Sequence, residues 1–110
     1  MTKRPARASG RKLLHTFKDQ DDHTWKIYGA DRHTHPHYFD GEENFGLTNR
    51  PKREIYIDVG QGNYDKWETT VHELLHVAFT SMGMHAFVEE SIVAQLGARM
   101  AHYLSQILDQ

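Results

Sequence analysis

The chain has no cysteine, which excludes disulfides and thiolate metal ligands; any stabilisation by a metal would have to come through histidine and carboxylate groups. Long apolar runs are missing too, since no stretch approaches the roughly 20 residues that a membrane span requires. The opening MTKRPARASGRK is basic but lacks the apolar segment that follows the basic end of a secretory signal, so a cytoplasmic location is expected. There is no strong charge imbalance either. A formal net charge of −2 gives no global reason to expect nucleic-acid binding. The length of 110 residues, with 38% hydrophobic and 25% charged residues, leads to the expectation of one domain with a modest core rather than a multidomain enzyme.

What the chain has in supply is histidine, nine in all. Charge is also unevenly placed. Lys3, Arg4, Arg7, Arg11 and Lys12 fall with Pro5, Ser9 and Gly10 in a segment that can bury almost nothing, so residues 1–12 are expected to be a basic flexible tail and residues 13–110 a single domain. The functional alternative for the tail is a salt-sensitive contact with a phosphate backbone.

Residues 13–18 are apolar enough to be anchored as a short strand or one helical turn. Residues 23–28 alternate in the period-two manner of a half-buried strand, with Trp25 and Ile27 toward the core. Residues 29–51 are polar, with Gly41, Gly46, Asn44 and Asn49, and are expected to be mainly loop. The cluster His33-Thr34-His35-Pro36-His37 within them is read as a surface loop, because Pro36 interrupts regular structure and no carboxylate-rich partner spacing accompanies it. Residues 54–59 form the clearest strand, with Ile55, Ile57 and Val59 on one side and Tyr56 on the other. Asp65 and Glu68 have the spacing of a capping box, which starts a helix near residues 63–66. Trp67, Val71, Leu74, Leu75, Ala78, Phe79 and Met82 give that helix an apolar stripe, and Gly83 suits its left-handed close. A second amphipathic helix over residues 87–107 must return antiparallel across so short a break. The fold class expected is α+β: a small antiparallel or mixed sheet with two antiparallel helices.

The middle of the first helix carries His72-Glu73-Leu74-Leu75-His76. Residues four apart lie on one helix face, so His72 and His76 can offer two imidazole nitrogens to one ion, while Glu73 sits about 100° round the axis beside the open position. Zinc in such a site lowers the pKa of water toward about 7 and polarises a carbonyl, and Glu73 would act as general base. A catalytic zinc needs three protein ligands and one exchangeable position. Glu89, Glu90 and His85 are the candidates for the third. Glu89 heads a stripe of large apolar residues through Val93, Leu96 and Met100, whereas Glu90 heads a narrower one of Val93, Ala94, Gly97 and Ala101. Small residues mark the side where helices approach closely, which favours Glu90.

Ile55-Tyr56-Ile57-Asp58, then Thr70-Val71-His72-Glu73-Leu74-Leu75-His76, then Glu89-Glu90 with Val93, Leu96, Gly97 and Met100, resembles small HExxH-plus-Glu metallopeptidases. These include the minigluzincins, the ImmA/IrrE-type peptidases and compact metallopeptidases of phages and bacteria. The resemblance covers roughly residues 45–104, and HExxH is its one specific motif. Val93, Ala94, Leu96 and Gly97 match the ImmA/IrrE register counted from Glu90. Met82 stands where the extended metzincin motif has its third histidine, and the cysteine pairs of SprT-like proteins are absent.

The resemblance implies a zinc peptidase with His72, His76 and Glu90 as metal ligands and Glu73 as catalytic base. It also implies that the strand over residues 54–59 is an edge that pairs with an extended peptide substrate. An oxyanion donor is implied as well, with Tyr64, Tyr103, His35 and His85 as candidates. Two other functions fit parts of the sequence. One is a metal-stapled binding or regulatory module without catalysis. The other is a nucleic-acid-binding protein using the tail and Asn49-Arg50-Pro51-Lys52-Arg53.

Overall fold

The computed structural model describes residues 10–83 and 86–108. Its elements are β1 (Arg11–Lys18), β2 (Thr24–Ala30), β3 (Gly46–Asn49), β4 (Glu54–Asp58), α1 (Asn63–Ser81) and α2 (Ala86–Leu108), with a single 3₁₀ turn at Pro36–Tyr38. The fold is α+β, a mixed four-stranded sheet with the order β1-β2-β4-β3 and two helices. β2 and β4 pair in parallel, while β1 and β3 pair antiparallel with β2 and β4 respectively.

Alternation along the two central strands separates two clusters. Trp25, Ile27, Ile55 and Ile57 project to one face and pack with Val77 of α1, with Phe17 and Leu74 at the margin. Tyr28, Ala30 and Tyr56 project to the other, where Phe39 and Tyr38 from the β2–β3 connection cover them. Both faces of the central strands are therefore buried. Each fully buried Ile or Phe contributes about 1.5–3 kcal/mol relative to exposure. Val59, expected beside Ile55 and Ile57, lies beyond the strand and is exposed.

Three expectations are corrected by this architecture. Residues 46–49 are a strand, because the turn at residues 50–53 lets them fold back on β4; Arg53 takes a left-handed conformation (φ 54°) and its N–H donates to Arg50 C=O. Four residues without alternation carry too little pattern to read as a strand on their own. β4 is accordingly an interior strand, and the edge on its side of the sheet is β3. At the N-terminus, Arg11 and Lys12 belong to β1 rather than to the tail. The Arg11 guanidinium lies 4.1 Å over the Tyr28 ring and donates to the Tyr56 hydroxyl at 2.6 Å, so contacts with two aromatic residues anchor a charge that composition alone assigned to solvent.

α1 starts without the expected capping box. Its N-cap is Gly62, which makes no side-chain cap; Asp65 lies in the first turn, where its charge complements the helix dipole. The close is as expected: Gly83 is left-handed (φ 72°), and its N–H donates to Thr80 C=O.

α2 packs against α1 along Glu89, Val93, Gly97 and Ala101, every fourth residue, all of them buried. A β-carbon on Gly97 would lie 3.5 Å from His72 Cα, so the helices touch nearly backbone to backbone beside the motif. Small residues do mark the close side, but the row they form leads back to Glu89. Ala94, Leu96 and Met100 face outward. Among the described residues, no helix is long and apolar enough to cross a membrane.

Candidate metal centre

α1 brings His72 and His76 one above the other with their Nε2 atoms 3.3 Å apart. Glu90, from the first turns of α2, reaches both: its Oε1 lies 3.0 Å from His72 Nε2 and its Oε2 3.2 Å from His76 Nε2. The three side chains thus present ligand atoms within 4.8 Å of one another. Glu90 lies off the buried row of α2 and its side chain is 66% exposed, so it approaches the pair from the flank. Glu90 reaches the histidines not from the face where the small residues pack but because it stands one residue round the helix from that contact line.

Glu89 occupies that line and is 1% exposed. Its Oε2 pairs with His76 Nδ1 and accepts from Arg50 Nη2 at 2.7 Å. It therefore stands behind His76, on the opposite side of the ring from the nitrogen that faces Glu90. His85 lies outside the described residues.

Glu73 is buried against β3 and is 6% exposed. The Thr48 hydroxyl donates to its Oε1 at 2.6 Å. A β-carbon on Gly46 would stand 3.0 Å from Glu73 Oε2 and 2.6 Å from Thr69 Cγ2, so the strand comes this close only because residue 46 is glycine. Burial pushes the Glu73 carboxyl above the usual carboxylate range, and Glu90 adds to this; the Thr48 hydrogen bond, His72 and His76 act in the opposite direction. A carboxylate in such surroundings accepts a proton more readily than one in water.

No protein-family model, curated protein or solved structure matches this chain. The chemistry must therefore be read from the side chains themselves. Two imidazole nitrogens and one carboxylate, all accessible at one point, form a donor set suited to zinc. The charges point the same way. Glu73, Glu89 and Glu90 crowd the site, and among the described residues Arg50 is the one lysine or arginine lining the adjoining cleft, so a divalent cation would offset carboxylates that otherwise repel.

Two clefts open on this point. One, of about 520 Å³, is lined by residues 43–46, Gln61, Asp65, Glu68, Thr69, His72, Glu73 and Glu90. The other, of about 340 Å³, runs along Gly46, Leu47, Thr48 and Arg50 to His76. None of Tyr64, Tyr103 and His35 lines either cleft. Tyr64 and Tyr103 are exposed on their helices, and His35 stacks near Tyr38, which packs on the sheet's other face. Of the basic turn at residues 50–53, Arg50 faces the site, where its Nε donates to Thr80 Oγ1 at 2.5 Å.

The site residues that sequence reasoning missed are Gly46, Thr48 and Arg50, all contributed by the β3 hairpin. The signal that could have found them was the turn Asn49–Arg53 set directly before the clearest strand. The signal for Glu89 as part of the helix contact was the spacing Val93, Gly97, Ala101 traced four residues back.

Proposed function

We propose that this chain is a zinc-dependent metallopeptidase, with His72, His76 and Glu90 holding the metal and Glu73 acting as general base. The observation that carries the proposal is the convergence of both Nε2 atoms and the Glu90 carboxylate at the mouth of a cleft, one residue from a buried glutamate that the neighbouring strand holds in place. When bound, zinc would supply acidification of water and polarisation of the scissile carbonyl.

The chain's own residues supply the rest. Glu73 takes the proton from the attacking water and delivers it to the leaving amine. Thr48 fixes the Glu73 carboxylate through Oε1, so its orientation is set before substrate arrives. β3 binds the substrate. Asp58 N–H donates to Phe45 C=O, and the antiparallel alternation carries the ladder through Leu47 and Asn49. The main-chain groups of Gly46 and Thr48 therefore point to the free edge. An extended peptide adding to this edge would lie along the clefts, with its backbone held next to Glu73. Substrate pairing thus belongs to β3, not to residues 54–59.

Purified protein, stripped of metal and then reconstituted with zinc, should cleave an unstructured peptide pool, with new termini read by mass spectrometry. Cleavage should disappear on chelation and return with stoichiometric zinc. A zinc-loaded protein that creates no new termini refutes the proposal.

A further inference from the structure

We infer that Glu89 is a positioning residue that fixes His76 in one tautomer for metal binding, with Arg50 as its counter-charge. The inference rests on the metal reading above and extends it to a residue outside the ligand set. A neutral imidazole binds a metal through one nitrogen only when its proton sits on the other, and the hydrogen bond made by that second nitrogen decides the matter. Here the second nitrogen is Nδ1 of His76, and its partner is Glu89 Oε2. A carboxylate accepts and cannot donate, so the pair places the proton on Nδ1 and leaves the Nε2 lone pair directed to the point shared with His72 and Glu90.

Three features separate this role from the ordinary one of an acidic residue complementing a helix dipole. Glu89 is almost wholly buried, whereas a dipole effect needs no burial. Arg50 Nη2 donates to its Oε2 at 2.7 Å, and Arg50 is itself tied to α1 through Thr80. Among the described residues, both hydrogen bonds of the carboxylate fall on Oε2, and the buried Oε1 has no partner. The Arg50 charge and the His76 ring therefore meet at one carboxylate oxygen. Because Arg50 directly follows β3, the chain Arg50–Glu89–His76 joins the strand proposed to take substrate to the metal ligand deepest in the site.

The test compares wild type, Glu89→Ala and Glu89→Gln, each checked for folding by circular dichroism. Zinc affinity is measured by competition with a chromophoric chelator, and the His76 tautomer by long-range ¹H–¹⁵N correlation. Wild type should show His76 protonated at Nδ1. Glu89→Ala should bind zinc about 10–100-fold more weakly, and its metal-free form should show mixed tautomers. Glu89→Gln keeps an oxygen acceptor and should lose less affinity than Glu89→Ala. Unchanged affinity and tautomer in Glu89→Ala would overturn the inference. So would complete loss of zinc from a folded Glu89→Ala, which would make Glu89 a ligand. If Glu89→Ala does not fold, wild-type His76 protonated at Nε2 would overturn the inference just as well. A wild type that binds zinc with the expected tautomer yet cleaves no peptide supports the role of Glu89 while refuting the peptidase reading. A wild type that binds no zinc overturns both.

Discussion

Glu73→Gln is expected to lower kcat/KM for peptide hydrolysis by roughly 10²–10⁴-fold, the usual contribution of a positioned general base, while zinc remains bound. The substitution keeps the shape of the side chain and leaves an oxygen to accept the Thr48 hydroxyl. What it removes is the capacity to take a proton. His72, His76 and Glu90 are untouched, so zinc content and affinity should stay close to wild type. The metal-free protein offers an independent check. Burial raises the Glu73 pKa in the folded state, so the folded chain binds that proton more tightly than the unfolded chain. Its contribution is therefore most favourable at low pH and is lost as pH rises from the ordinary carboxylate range through the raised value. Gln has no such dependence. Urea midpoints across this range should accordingly fall with rising pH in metal-free wild type relative to Glu73→Gln. Full hydrolytic activity in the variant would remove Glu73 from the mechanism.

His76→Ala should abolish stabilisation by zinc. A ligand that binds only the folded state at 1,000 times its dissociation constant adds about 4 kcal/mol. For a domain of this size each kcal/mol moves the melting temperature by about 4 °C or more, so wild type should gain well over 10 °C with zinc and lose it on chelation. Removing His76 takes away one of the three proposed ligands and also the group that Glu89 holds. The variant's melting temperature should then be the same with and without zinc. His102 provides the control. It lies on α2 with Nε2 2.8 Å from the Gln106 amide, exposed and outside the converging set, and His102→Ala should keep the full zinc response. A zinc-dependent shift that survives in His76→Ala would place the metal elsewhere.

Local pattern made much of this molecule legible. The period-two alternation at Trp25–Ile27 and Ile55–Ile57 located the central strands, because both are covered and each residue's face is fixed by burial. HExxH located the candidate metal centre, because its spacing alone sets two imidazoles on one helical face. What escaped was set by contacts distant in sequence. β3 has no alternation and exists as a strand through pairing with β4; with it went the true sheet edge, the Thr48 contact to Glu73 and the inward turn of Arg50. Arg11 is held by Tyr28 and Tyr56, 17 and 45 residues away in the chain. On α2 the difficulty was of another kind. Two adjacent glutamates differ by about 100° on a helix, and which of them meets a ligand depends on how the helices cross. Small residues gave the contact line, and Glu89 lies on that line, while Glu90 reaches the histidines from beside it.

The measurement that bears most directly on the proposed metal centre is a crystal structure of the zinc-loaded protein with anomalous data collected at the zinc edge. One zinc per chain is expected, bound by Nε2 of His72, Nε2 of His76 and the carboxylate of Glu90, with the remaining position open to the cleft beside Glu73. An anomalous peak elsewhere, or a zinc fully enclosed by four protein side chains, would contradict the catalytic assignment.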